Sequence, residues 1–289
     1  ALYLDELFER GGFPAGSFNT LLIGAAKVEG VLRDRRVVAA TLTGSEPAGR
    51  SVAAIAGSEV KPVVLELGGS DPFIVLPSAD LPKAVATAVT ARTSNNGQAC
   101  INAKRFIVHA DVYDAFVEQF SAAMAALRVG DPLDESTDLG PVATESGRIE
   151  VDELVQDALA KGAVATAGGA PLDGPGWFYP ATVITGITPE MRLYAEEAFG
   201  PVASVYRAES VEDALRIAND TTFGLSSAVW TQDAAEQEQV IAGLVVGAVF
   251  VNGMSISYPE VPFGGTKDSG IGRELSFEGM REFLNAKSV

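Results

Sequence analysis

The sequence is poor in the residues that metal and disulfide chemistry need: it has one cysteine, Cys100, and one histidine, His109. One thiol forms no internal disulfide, and it is too few for a cysteine-based zinc or iron-sulfur site, which takes several soft ligands. No metal is expected. Cationic residues are also scarce, since 21 lysines and arginines against 38 acids leave a net charge of −17. That balance argues against nucleic acid and against an anionic membrane as partners. No apolar run approaches the length that spans a bilayer, and no basic-then-apolar leader opens the sequence. A soluble cytoplasmic protein is the expectation, and a single cysteine suits a reducing compartment. The GxSxG elbow of Ser-His-Asp hydrolases is missing. A Cys-His hydrolase is disfavoured as well, because His109 ends an apolar strand that carries it away from Cys100.

What is present is ample material for a core: 289 residues, 47% hydrophobic and 20% charged. Helical and strand patterns alternate along the chain, as in an α/β protein with a parallel sheet. Helices are expected at 1–10, without a cap, and at 28–34, 48–56, 82–93, 111–127, 145–161, 211–219 and 233–244. Strands are expected at 21–23, 37–42, 63–67, 73–76, 105–109, 181–185, 202–206, 225–230 and 248–252. Phe116, Phe120 and Met124 share one helical face and read as core.

Four stretches hold candidate chemistry. Cys100 lies in NNGQACINAKR (95–105), a small polar loop, and is either a buried small hydrophobe or a nucleophile. The turn residues Asn95, Asn96, Gly97 and Gln98 favour the second reading, with side-chain amides able to donate to an anion formed nearby. Glu66 ends the apolar strand VVLE beside Gly68 and Gly69; buried, it would have a raised pKa and suit a general base, and at a sheet edge it would face water. The turn TGSEPAGR (43–50) between strand and helix could hold a phosphate on free backbone amides, or be an ordinary turn capped by Ser45. The acids Glu196 and Glu197, before the turn at Gly200-Pro201, read by themselves as exposed.

Together these segments resemble the aldehyde dehydrogenase superfamily. LELGGSDP (65–72), GQAC (97–100), EEAFGP (196–201) and PFGGTKDSGIGRE (262–274) are similar to its signature segments and stand in the family order. The spacings agree too: Glu66 to Cys100 is 100 − 66 = 34 positions, and Cys100 to Glu197 is 197 − 100 = 97. The resemblance implies that Cys100 attacks an aldehyde carbon to give a thiohemiacetal, and that Glu66 activates the water that hydrolyses the later thioester. It also implies cofactor contacts from Ser45, Gly68, Glu197 and Phe199, with NADP or NAD as the cofactor.

Within the superfamily the chain is most similar to succinate-semialdehyde dehydrogenases of the NADP-using actinobacterial type. NGMSIS (252–257) resembles their substrate loop, where the match to Ser257 holds the substrate carboxylate. Many members carry an arginine six positions before the nucleophile, and here that position is Ser94. Arg92 would compensate only if the helix register turned it toward the site. Another semialdehyde or an aliphatic aldehyde is the alternative substrate. Family members carry, ahead of the point matching Ala1, a PWNFP-like stretch and a lysine-bearing strand, so an N-terminally truncated member is expected, with a catalytically silent fragment as the other possibility. The expected architecture is a partial Rossmann-like cofactor domain (1–68), an α/β catalytic domain (69–268) and a tail (269–289) returning toward the cofactor and oligomerisation region, with the full-length form a homo-oligomer.

Overall fold

The computed structural model describes all 289 residues. Its first part holds α1 (Leu2–Arg10), α2 (Val28–Leu32), β1 (Ala40–Thr43), α3 (Glu46–Ser58) and β2 (Val63–Glu66). Helix α1 has no side-chain cap, as its sequence suggested. The strand expected at 21–23 does not form; with no strand beside it, this apolar run lies on the surface, Leu22 being 73% exposed.

The second part continues with β3 (Asp71–Val75), α4 (Leu81–Thr93), β4 (Ala103–His109), α5 (Ala110–Ala125), α6 (Glu145–Ala160), β5 (Val164–Ala167), β6 (Thr182–Thr185), α7 (Arg192–Ala195), β7 (Val202–Ala208), α8 (Val211–Asn219), β8 (Ala228–Trp230), α9 (Ala234–Gly243) and β9 (Phe250–Val251). The chain closes with β10 (Gly270–Ile271) and α10 (Ser276–Arg281). Neither β5 nor β10 is legible as a strand. β5 is mostly small residues, and β10 is two residues of a glycine-rich loop recruited by its neighbour.

Two sheets result. One has the order β5-β6-β7-β4-β3-β8-β9 and is parallel except for the antiparallel edge pair of β5 and β6. The other has the order β1-β2-β10, with β1 parallel and β10 antiparallel to β2, so the start of the tail lies against the strand of Glu66. The larger sheet is buried on both faces, which is why its central strands read as unbroken apolar runs. Phe73, Val75, Phe106 and Val108 point to one face, where Phe116, Phe120 and Met124 of α5 meet them. Ile74, Leu76 and Ile107 point to the other, against Ala214 and Ile217 of α8 and Val240 of α9. Each such side chain contributes roughly 1.5–3 kcal/mol by leaving water. His109 ends β4 and caps α5, its Nδ1 accepting the Asp111 N–H at 3.2 Å.

The register of the larger sheet gathers distant segments. Asp71 pairs with Ala103 and Arg105 with Ser204, so β3, β4 and β7 begin at one edge. The segments entering these strands, 67–70, 94–102 and 196–201, therefore meet there. The carboxyl ends of β1 and β2, with the turn at Ser45, face the same place, and the ends of parallel strands are where α/β proteins bind ligands.

Candidate active site

The loop ahead of Cys100 is built from residues that tolerate left-handed backbone: Asn95, Asn96 and Gly97 have φ of 52°, 55° and 74°. At Gly97 a Cβ would stand 2.4 Å from the Gly200 carbonyl oxygen, so only glycine fits. The side-chain amides expected to face an anion instead hold the loop. Asn96 accepts the Gly140 N–H at 3.1 Å and donates to Pro141 O at 3.0 Å, while Gln98 accepts the Ala143 N–H at 2.8 Å. Asn95 donates to the Gln98 carbonyl at 2.9 Å. Asn102 closes the far side, accepting the Ala99 N–H at 2.7 Å.

Arg92 is fully buried beneath this loop and donates to the carbonyls of Gly97 (2.6 Å), Gly200 (2.7 Å) and Ala103 (3.0 Å). Its guanidinium is committed to backbone, so it does not stand in for the arginine missing at Ser94. Arg105, also buried, ties Ser70 O (2.9 Å) to the end of α8 through Ile217 O (2.8 Å) and Ala218 O (2.7 Å).

Cys100 is free and half-buried. It lines a cleft of about 900 Å³ together with Ser45, Gly68, Glu197, Phe199 and Phe223. A second cavity of about 290 Å³ lies on the other side of the Ala99 to Asn102 turn, lined by Ser94, Ile101, Met254, Ile256 and Ser257. Ala99 lines both, so the thiol segment forms the wall between them. Burial pushes the thiol above its ordinary pKa; Lys104 opposes this, and Asp71, Glu197 and Glu66 add to it.

Glu66 is 1% exposed, which removes the water-facing reading. Neither carboxyl oxygen has a hydrogen-bond partner, and burial, with Glu274 nearby and Arg273 opposing, pushes its pKa up to about 8. Its Oε1 lies 2.7 Å from where a Cβ on Gly264 would stand, so the side chain points into the glycine-rich C-terminal loop. It makes no hydrogen bond to Cys100, and it does not line the cleft that the thiol lines.

Glu197, unlike its exposed neighbour Glu196, is largely enclosed: it pairs with Lys104 at 2.9 Å and accepts the Gly69 N–H at 3.2 Å. A Cβ on Gly68 would come within 2.7 Å of its Oε2, so the glycine keeps this end of the cleft open. Ser45 sits at the start of α3 and is exposed, with no side-chain capping bond, so its hydroxyl is free toward the cleft. Phe199 is 46% exposed on the same wall. These features fit a nicotinamide dinucleotide: free helix-start groups for phosphate, a carboxylate for a ribose hydroxyl, and an aromatic face near the thiol. Ser257 is brought beside Ser94 in the second cavity, but the lining there carries no cation.

Sequence reasoning passed over Lys104, Arg105 and Asp71, and weighed Arg92 only as a substitute for the arginine missing at Ser94. Asp71 is buried, accepts the Ser226 N–H at 3.0 Å, and has its pKa pushed up to about 6 by burial. The available signal was four charged residues set into apolar strand and helix stretches.

The fold sets a free thiol on the wall of a cleft at the sheet edge, and the model of the Aldehyde dehydrogenase family matches residues 1–289: the chain belongs to that family. It is 65% identical over 289 residues to the succinate-semialdehyde dehydrogenase [NADP(+)] of Mycolicibacterium paratuberculosis and to succinate-semialdehyde dehydrogenase [NADP(+)] 1 of Mycobacterium tuberculosis. All of this chain is covered, against 61% and 63% of those proteins, so it spans less than two thirds of their length. Among solved structures, succinic semialdehyde dehydrogenase from Streptococcus pyogenes in complex with NADP+ aligns with a TM-score of 0.95 at 39% identity, covering 99% of this chain and 63% of that one. A betaine aldehyde dehydrogenase from Staphylococcus aureus in complex with NAD+ aligns with a TM-score of 0.94 at 33% identity, covering 99% of this chain and 59% of that one.

Proposed function

We propose that this protein oxidises an aldehyde, succinate semialdehyde in the first place, to the carboxylic acid, with NADP or NAD as cofactor. The observation that carries the reading is the placement of Cys100 in the wall between a dinucleotide-sized cleft and a smaller cavity holding Ser257. On this reading the cofactor occupies the cleft that Cys100 lines, and the aldehyde approaches from the cavity lined by the flanking Ala99 and Ile101. The thiolate attacks the carbonyl carbon, and the Cys100 N–H, which has no partner within the chain, is free to donate to the resulting oxyanion. When bound, the nicotinamide supplies the hydride acceptor. The thioester left on Cys100 is then hydrolysed by water that Glu66 deprotonates. To serve, Glu66 turns from the glycine-rich loop toward the thiol. Ser45 and Gly68 take the pyrophosphate end, Glu197 a ribose hydroxyl and Phe199 the nicotinamide end, while Ser257 donates to the substrate carboxylate.

The same reading divides the chain at 1–68, 69–268 and 269–289, supported by the change of sheet between Glu66 and Asp71 and by the pairing of Gly270 with Glu66. It makes the protein cytoplasmic and its full-length form a homo-oligomer, supported by a free cysteine suited to a reducing compartment and by exposed apolar residues such as Phe277, Met280 and Leu284. No helix is long and apolar enough to cross a membrane. The test is turnover of succinate semialdehyde with each cofactor in Cys100→Ala and Glu66→Gln. Both variants are expected to fall to background, and wild-type-like rates in either would refute the assignment.

A further inference from the structure

Lys104 lies on β4, four positions past the thiol (104 − 100 = 4), and its side chain is 3% exposed. An ammonium has three donors, and here each finds an acceptor: Ala99 O at 2.9 Å, Cys100 O at 2.7 Å and Glu197 Oε1 at 2.9 Å. The same Glu197 oxygen accepts the Gly69 N–H, and a Cβ on Gly69 would stand 2.6 Å from the Cys100 carbonyl oxygen. The thiol segment, the turn after Glu66 and the cleft carboxylate are thus locked around one nitrogen.

We propose that Lys104 is a positioning residue that joins the Cys100 segment to Glu197 and supplies the positive charge beside the thiol. This rests on the reading of Cys100 as nucleophile and Glu197 as a cofactor ligand. A packing role would be met by an apolar side chain, whereas all three acceptors here belong to the nucleophile's own peptides or to the cleft carboxylate. The charges acting on the thiol come from every element around it: Asp71 on β3, Glu66 on β2, Glu197 ahead of β7 and Lys104 on β4. Three are carboxyls and Lys104 alone is cationic; Arg92, committed to carbonyls, acts on the ammonium. Without Lys104 the thiol would face acids only.

The test is the pH dependence of Cys100 alkylation by iodoacetamide in the wild type, Lys104→Met, Lys104→Arg and Glu197→Gln. With a single cysteine in the chain, alkylation reports this thiol unambiguously. Removing the cation that donates to the Cys100 carbonyl at 2.7 Å is expected to raise the alkylation midpoint in Lys104→Met by about one pH unit or more. Glu197→Gln keeps an acceptor for Lys104 but loses a negative charge, so its midpoint falls. Lys104→Arg restores the charge and returns the midpoint to within about half a pH unit of wild type. A purely structural role would leave the Lys104→Met midpoint at the wild-type value, and that result overturns the proposal. Should Lys104→Met fail to fold, Lys104→Gln, which keeps a donor and loses the charge, is read in its place, and an unchanged midpoint there overturns the proposal. Failure of the nucleophile reading would look different, as turnover that survives complete alkylation.

Discussion

Glu66→Gln should separate stability from chemistry in one substitution. Burial holds this carboxyl at about 8 against an ordinary 4.5. A raised carboxyl pKa stabilises the fold fully below the unfolded pKa, and that contribution is lost as pH rises through the folded value. The wild type should therefore lose stability between about pH 5 and pH 8, at up to about 1.4 kcal/mol per pH unit, an upper limit near 4 kcal/mol. Rotation of the side chain toward the cleft as it ionises would relieve part of this, leaving roughly 1–3 kcal/mol. Glutamine has the same shape and no charge, so its pH-dependent part is absent, while the cost of burying an unpaired amide is the same at every pH. Urea unfolding at about pH 5 and about pH 9 reads the difference. The gap between variant and wild type should move in the variant's favour by roughly 1–3 kcal/mol on going to alkaline pH, even as turnover falls to background. A gap that stays constant with pH would show that Glu66 is ionised at ordinary pH in the folded protein, and the buried-base argument would be wrong.

Other outcomes follow from single contacts. Ser94→Arg should restore a cation beside Ser257 and raise kcat/KM for succinate semialdehyde over an uncharged aldehyde of equal length by about tenfold, the effect of one charge-assisted bond; unchanged discrimination in steady-state kinetics would remove Ser94 from the substrate site. Gly97→Ala places a methyl 2.4 Å from Gly200 O at a φ of 74° and should destabilise the protein by at least about 2 kcal/mol in urea unfolding. Arg92→Met strips donors from three buried carbonyls and should cost about 3 kcal/mol or more by the same assay. Gly68→Ala crowds both Glu46 Oε1 and Glu197 Oε2 and should weaken NADP binding by about tenfold, equivalent to about 1.4 kcal/mol, as read by fluorescence titration.

The central strands of the larger sheet were legible because both faces of β3, β4 and β7 are buried, which leaves unbroken apolar runs that pattern reading finds, whereas its edge strand β5 was not. Helix α8 matched at both ends, its start fixed by Ser210 accepting the Asp213 N–H at 3.1 Å. The failures share a cause. The apolar run at 21–23 has strand-like composition and no neighbour to pair with, whereas Gly270–Ile271 has poor composition and pairs because β2 offers an open edge. Strand identity in both cases was decided by a partner elsewhere in the chain.

The candidate site divides in the same way, between what side-chain letters encode and what backbone atoms do. Cys100, Glu66, Glu197 and Gly68 stand in recurring motifs, so motif spacing located them. Apart from the Glu197 carboxylate that Lys104 also meets, the groups that Arg92, Lys104 and Arg105 bind are carbonyl oxygens, which every residue carries and no letter marks. Their role exists only once the register of β3, β4 and β7 has brought those carbonyls to one edge. That also explains why three cations can be buried in a chain of net charge −17: each is matched by fixed backbone dipoles, which hold it at a cost lower than an unpaired charge would impose. The scarcity of cations near the second cavity follows from the same arrangement, since the arginine nearest in sequence to Ser94 spends its donors on the loop that presents the thiol. On the proposed reading a substrate carboxylate is met by hydroxyls, and Ser94→Arg is the substitution that would reverse that choice without disturbing the carbonyl-bound cations beneath.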